Sequence, residues 1–397
     1  MSRHRRSPYA ALAIAVFGAA ASAGAAVAGL LGASARVQAG APGDNLIKAA
    51  RKGDRNEAAS LLQQGTPVDA QDKDGKTALW EASRHDHAEI VALLLEHKAQ
   101  VDLASKDGET PLLQAIDKDN PRVVSQLLAA HANPNLPARD GIPPLVLAAT
   151  HSGNTMPEAL LAAGADPLAR TPSGQTVLMA AAGGGDRHLV GKLIEMGAEV
   201  EAENVAGETA IYYAARHGQV PTIDVLLGAH AAYDVFSHDG LTPLMAAAAA
   251  GKSEAVHSLL RAGAQPDLRN KQYRNWTALM YAAKGSAGDV VDELARAGAH
   301  IDARDLDRET PIMIAAEFGG ESTMSALLAA GADVNCRGGD DRKSPLDLAV
   351  ERNDRGIVGL LVGKGACVPQ SAVDHATKRK DDKLLAVLGS PSSSGCR

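Results

Sequence analysis

The chain predicts an all-α repeat solenoid, in which stacked helix-turn-helix units are joined by β-hairpin-like loops. Three observations carry that prediction. A Thr, or a stand-in for it, recurs at Thr77, Thr110, Pro143, Thr176, Thr209, Thr242, Thr277, Thr310 and Ser344, in steps of 33, 33, 33, 33, 33, 35, 33 and 34 residues. Two residues later stands Leu or Ile, at Leu79, Leu112, Leu145, Leu178, Ile211, Leu244, Leu279, Ile312 and Leu346. Five residues later stands Ala without a gap, at Ala82, Ala115, Ala148, Ala181, Ala214, Ala247, Ala282, Ala315 and Ala349. A fixed period of this length marks stacked supersecondary units, none of which buries its apolar face alone. Such an array favours an extended binding surface over a catalytic pocket.

Taken in order, residues 1–39 share no register with the rest and read as a signal peptide or an N-terminal membrane anchor. Arg3, His4, Arg5 and Arg6 make a basic start, and no charge falls between Ala10 and Leu31. Val37-Gln38-Ala39 fits a small-x-small cleavage site before Gly40. The apolar stretch is long for a signal, and about 20 such residues can span a bilayer, so an uncleaved anchor over residues 10–31 stands beside cleavage. Arg5-Arg6 also invites a twin-arginine reading, against which Pro8 sits where an apolar residue is usual. Each reading places the repeats outside the cytoplasm, periplasmic or secreted. Residues 40–370 form the solenoid, with a degenerate first copy at Asp44, Leu46 and Ala49 acting as a cap. Residues 371–388 form a helical cap carrying Lys378, Arg379, Lys380, Asp381 and Asp382, and residues 389–397 a disordered Ser/Gly tail.

Within one unit, Asp72-Lys73-Asp74-Gly75 is turn chemistry: Asp accepts local backbone bonds and Gly supplies positive φ. Thr77 then caps a helix over Ala78–Arg84, and Pro at this first helical place in other units (Pro111, Pro243, Pro311) fits the same start. A turn near Asp86-His87 leads to a second helix over Ala88–Glu96, whose Ile90, Val91, Leu94 and Leu95 share one face. The turn Gly recurs from Gly75 to Gly240 and becomes Asn275, Arg308 and Arg342. The Gly ending the second helix is replaced by Lys98, His131 and His230 in three units.

This pattern resembles the ankyrin repeat, with its D-x-x-G-x-T-P-L-x-x-A opening and V-x-x-L-L-x-x-G-A-D-V-N close. Gly331-Ala332-Asp333-Val334-Asn335 matches the close in full. The resemblance covers about ten units over residues 44–370. One departure is consistent: the family's His after T-P-L is absent, and Trp80, Leu113, Val146, Met179, Tyr212, Met245, Met280, Met313 and Asp347 hold its place. The resemblance implies that this His ties neighbouring repeats, so its absence predicts a stack held more by apolar contact, for which Met is well suited.

Composition narrows the function. Hydrophobic residues make up 45% of the chain and aromatics only 3%, so an exposed aromatic is informative. Without residues 1–39, which carry Arg3, Arg5, Arg6 and Arg36 and no acid, the formal charge of −7 becomes −11. That argues against nucleic acid, which needs a basic stripe, and against anionic lipid. Of Cys336, Cys367 and Cys396, the first two lie in adjacent units, roughly 10 Å apart when a disulfide needs Cα atoms within about 7 Å. Cys396 could reach either, and an odd count leaves one thiol free or intermolecular.

Catalytic and metal motifs are missing. Ala70–Glu81 mimics a calcium loop but has Ala70 at its first ligand position. His85 and His87 lack a third ligand at usual spacing. Gly183-Gly184-Gly185 fails the phosphate-loop spacing and reads as a loosened turn between helices. No cofactor and no metal is expected.

The resemblance implies that partners dock on the concave side, built from hairpin tips and the outer ends of first helices. In the Thr277 unit those places hold Tyr273, Arg274, Trp276 and Lys284, and Tyr, Trp and Arg dominate interface hot spots. This hairpin follows the 35-residue step and should project. His238, Asp239 and Leu241 lie on one side, Glu309, Glu317 and Phe318 on the other, and Arg216 and His217 one unit further. A second reading stands open, in which Tyr273 and Trp276 only pack over the enlarged hairpin. Tyr212, Tyr213 and Tyr281 occupy inward places. The expected function is a non-enzymatic, monomeric protein-interaction scaffold or adaptor whose partners are proteins. The alternatives are a membrane-tethered adaptor and an enzyme or small-molecule binder with residues converging in the groove.

Overall fold

Four units open where the Thr hydroxyl captures a backbone N–H three residues on, and Ser344 does the same for Asp347. Thr77 Oγ1 accepts from Trp80 at 3.1 Å, Thr110 from Leu113 at 3.2 Å, Thr176 from Met179 at 3.1 Å and Thr242 from Met245 at 3.2 Å. Such a cap stabilises a helix by about 1 kcal/mol. The helices that follow in the first unit, Ala78–Arg84 and Ala88–Glu96, have the bounds expected from sequence. The computed structural model describes residues 41–392 apart from 152, 154 and 340. The expected signal or anchor therefore lies outside the described residues. Among the described residues there are 22 helices in successive pairs and no strand, only three isolated antiparallel bridges within hairpins. The fold is an all-α repeat solenoid of the ankyrin type.

First helices pack against first helices and second against second along the stack. The recurring Leu/Ile and Ala positions are buried in all nine units. Ala at each crossing lets successive helices approach closely, and the Leu/Ile beside it fills the space between the two layers. The places lacking the family's His are filled by buried side chains from Trp80 to Met313. Apolar contact is not the whole of the stacking, however, because two polar rows run along it. In one, hairpin tips bond to each other: Lys106 N–H to Asp74 O, Val205 to Ser173, His238 to Ala206, Leu306 to Arg274 and Gly339 to Asp307, at 2.8–3.0 Å. In the other, Asp69, Asp102, Asn135, Asp234, Asp267, Asp302 and Asn335 each accept a backbone N–H from the following unit. Between the rows, Asn120 Nδ2 donates to Ser83 O at 2.8 Å, and the hydroxyls of Thr222 and Thr323 donate to Ala182 O and Gly285 O.

The turn row keeps its left-handed backbone whatever residue occupies it. Gly207 and Gly240 have φ of 70° and 75°, and Asn275, Arg308 and Arg342 have 64°, 62° and 51°. Lys98, His131 and His230 do the same at the second-helix ends. The reading of Gly183-Gly184-Gly185 as a loosened turn needs correction. The helix Val177–Gly184 runs through the first two, and only Gly185, at φ 87°, leaves it. A Cβ on Gly184 would lie 2.6 Å from Ala149 O, so Gly is there for close packing against the preceding unit.

The ends are polar. The first pair is Ala41–Lys52 and Arg55–Gln63, with Leu46 and Ala49 buried on the next unit; the last pair is Gln370–Lys378 and Asp382–Leu388. Among the described residues no helix is long and apolar enough to cross a membrane. Of the expected tail, residues 389–392 are described, and Ser392 bonds back to Val368; residues 393–397 lie outside the described residues.

Candidate interaction face

The face is built from the two-residue-longer hairpin of the Thr277 unit. Asn270 and Trp276 pair as an antiparallel bridge, with Asn270 N–H donating to Trp276 O at 2.8 Å. Arg274 and Asn275, at φ 47° and 64°, turn the chain between them. Asn270 holds the loop from inside: its Oδ1 accepts the N–H groups of Gln272 and Tyr273, while its Nδ2 donates to Asp239 O at 3.0 Å and to Tyr281 Oη at 2.8 Å.

Trp276 is only 1% exposed. It meets Tyr273 and Tyr281 edge to face, with ring centroids 5.0 and 5.2 Å away. The expectation that Trp276 is a contact residue is therefore corrected: it packs under the hairpin, as the second reading had it. Its indole N–H donates to Asp305 Oδ2, 3.0 Å away in the next unit. The Asp305 side chain is 0% exposed and satisfied on every side. Its Oδ1 accepts from Asp307 N–H at 2.9 Å and Glu309 N–H at 2.8 Å, and its Oδ2 also pairs with Arg274 at 3.1 Å. This carboxylate rivets two hairpins together, and burying it is tolerable only because four donors surround it.

Arg274 lies at the centre of the polar surface. It pairs with Glu309 at 2.8 Å and with Asp307, and its guanidinium sits 5.9 Å from the Trp276 ring. Burial works against its charge, yet Glu309, Asp305 and Asp307 outweigh burial and raise its pKa further. Glu309 shows the opposite balance. Burial pushes its carboxyl above the ordinary value, Asp305 and Glu317 add to that, and Arg274 only partly offsets it.

Around this centre, Tyr273, Arg274, Lys284, Leu241 and Glu309 are partly exposed, and His238, Asp239, Arg216, His217, Glu317 and Phe318 are exposed. His238 Nδ1 lies 3.1 Å from Val205 O, and because a carbonyl only accepts, that nitrogen carries the proton. Arg216 reaches Glu208 at 3.8 Å. Tyr212 is buried, Tyr213 and Tyr281 partly so, as their register implied. Sequence reasoning missed Leu306 and Val205, which are 69% and 68% exposed at hairpin tips. Both stand four residues before the unit's Thr, a place already assigned to the tips, so register was the available signal.

A similar nest holds Trp80 in the first full unit. Its indole N–H donates to Glu109 O at 3.1 Å, and Lys76 and Arg84 lie 4.9 and 5.5 Å from its ring. The acids and histidines nearby are engaged in structure. Asp72 Oδ1 accepts the N–H groups of Asp74 and Lys76, and His87 bonds to Arg51 O. Among the described residues no group of three or more His, Cys, Asp or Glu could hold a metal ion.

Scanned against known families, the chain matches the one described as ankyrin repeats (3 copies), over residues 46–138, 145–237, 232–305 and 287–372. A search of curated proteins returns no match.

Proposed function

Because the chain belongs to the ankyrin repeat family, we propose that it is a non-enzymatic scaffold or adaptor, exported from the cytoplasm, that holds a partner protein on its concave face. Repeats of this family are protein–protein interaction modules and are typically not enzymes. The observation that carries the reading is the supported surface around Arg274. Exposed His238, Asp239, Phe318 and Leu306 surround a core of Trp276, Asp305 and Arg274 that cannot move without breaking buried bonds. Such preorganisation lowers the ordering cost of binding. About ten repeats over residues 44–370 provide the frame, as the phased Thr and Ala positions support. Export rests on the basic start and the uncharged run from Ala10 to Leu31; cleavage after Ala39 gives a periplasmic or secreted protein, and retention gives a tethered one.

The test is a crosslinked pull-down from the envelope or secreted fraction. Wild type is compared with Arg216→Ala/His238→Ala/Phe318→Ala and, as a control on second helices, Glu195→Ala/Arg261→Ala. All five side chains are exposed, so the fold should survive. The first variant should lose a partner that the control retains. Equal recovery by all three proteins removes this face as the binding site. Mass spectrometry of the mature N-terminus tests export separately: a chain beginning at Gly40 supports cleavage, and an intact Met1 recovered in the membrane supports the anchor.

A further inference from the structure

Among the chain's Asn residues, one alone begins the pattern Asn-x-Thr/Ser with x other than Pro: Asn275-Trp276-Thr277, on the hairpin that is longer by two residues. That tripeptide is the acceptor pattern for N-linked glycosylation of chains that leave the cytoplasm. The fold treats this Asn differently from its neighbours. Asn270 and Asn204 engage their carboxamides with loop and tyrosine partners. Asn275 is partly exposed; its backbone oxygen accepts from Arg269 Nη1 at 3.2 Å, and its carboxamide bonds to no described residue. Its φ of 64° does not require Asn, because Arg308 and Arg342 hold the same place at 62° and 51°, and Gly207 and Gly240 at 70° and 75°. The Thr277 hydroxyl is also unused by the fold. Unlike those of Thr77, Thr110, Thr176 and Thr242, it caps nothing and is buried without a partner.

We propose that Asn275 is an N-glycosylation site. In the transfer, Asn275 Nδ2 bonds to the anomeric carbon of a lipid-pyrophosphate-linked oligosaccharide. The bond from that carbon to the pyrophosphate oxygen breaks, the lipid pyrophosphate leaves with the electron pair, and the amide gives up a proton; no group is oxidised or reduced. The fold sets when this can happen. Trp276 and Thr277 are each 1% exposed, so the finished hairpin offers a transferase only the first of the three residues. The cover on Trp276 includes Asp305, 29 residues further on. A chain that enters its compartment N-terminus first presents residues 275–277 before Asp305 follows, and folding in the same order leaves them open for that interval. Once attached, a bulky, solvated glycan stands next to Arg274 on the proposed interaction face and narrows access to it. The site rests on proposed export but not on the identity of any partner.

The full chain is purified from the cytoplasmic, envelope and secreted fractions, and half of each sample is treated with peptide-N-glycosidase in heavy-oxygen water before tryptic digestion. In the untreated half, residues 275–284 should be missing at their plain mass; treatment should return them with Asn275 converted to heavy-oxygen-labelled Asp. Two variants tie the result to the site. Asn275→Gly puts at φ 64° the residue that the Gly207 and Gly240 turns use, and Thr277→Val removes a hydroxyl that the fold leaves unbonded, so both should fold. Each should lower the intact mass by one whole glycan. Plain residues 275–284 in a chain recovered outside the cytoplasm, or no loss of glycan mass in either variant, overturn the site while export stands. An unmodified chain confined to the cytoplasm overturns the site and proposed export together.

Discussion

Replacing Asp305 by Ala tests the support of the proposed face most directly. The carboxylate has no exposed side-chain surface and holds four donors: the Arg274 guanidinium, the Trp276 indole N–H and the backbone N–H groups of Asp307 and Glu309. Removing one partner of a buried ion pair costs about 3–5 kcal/mol, and each stranded buried donor about 1–3 kcal/mol. Those figures overlap and do not add. The Arg274 side chain is 28% exposed and keeps Asp307 and Glu309 as partners, so water and neighbours recover part of the loss. The lower end, about 3 kcal/mol, is the expected cost. Because each unit couples only to its neighbours, the loss should stay local. Hydrogen exchange is therefore a better assay than one unfolding midpoint, which repeat arrays do not define well. Amides of the helices Ala278–Lys284 and Pro311–Phe318 should exchange about 100-fold faster, the equivalent of ~3 kcal/mol. Those of Ala78–Arg84 should not change. A uniform increase along the chain, or less than threefold change at the two named helices, would refute the claim that Asp305 rivets these hairpins.

Four further outcomes are expected. Ala247→Leu, at a fully buried crossing between first helices, should destabilise by about 1–3 kcal/mol in urea titration, whereas a neutral result would mean the stack is not closely packed there. Glu309→Gln should respond to pH with a definite sign. Burial first, then its acidic neighbours, raise the native carboxyl above its ordinary 4.5, so the native state binds this proton more readily than the unfolded chain. The wild type should therefore lose stability relative to the Gln variant as pH rises from about 4.5 through the native value; a wild type that gains stability relative to the Gln variant over that range reverses the assignment. Gly207→Ala should destabilise, since φ is 70° and a Cβ would lie 2.8 Å from the His238 ring, while Arg308→Gly, at φ 62°, should stabilise by up to about 1 kcal/mol in thermal melts.

What the sequence determined by itself was everything governed by neighbours along the chain. Thr77 capping Trp80 N–H, the turn at Gly75 and the helices at 78–84 and 88–96 depend on residues within a few positions, and a 33-residue repetition of those signals implies stacking. The inward register of Tyr212 came from the same periodicity. The tertiary structure alone decided which way Trp276 turns, because its place under the hairpin depends on Asp305, 29 residues away in the next unit. It also decided that Gly184 is helical, since that Gly answers to the Ala149 carbonyl across a unit boundary, and that Leu306 stands out in solvent at a tip. A residue's exposure is set by what the adjoining unit places over it. Spacing along one unit carries no record of that cover, so the frame was legible in the sequence and the composition of the exposed face was not.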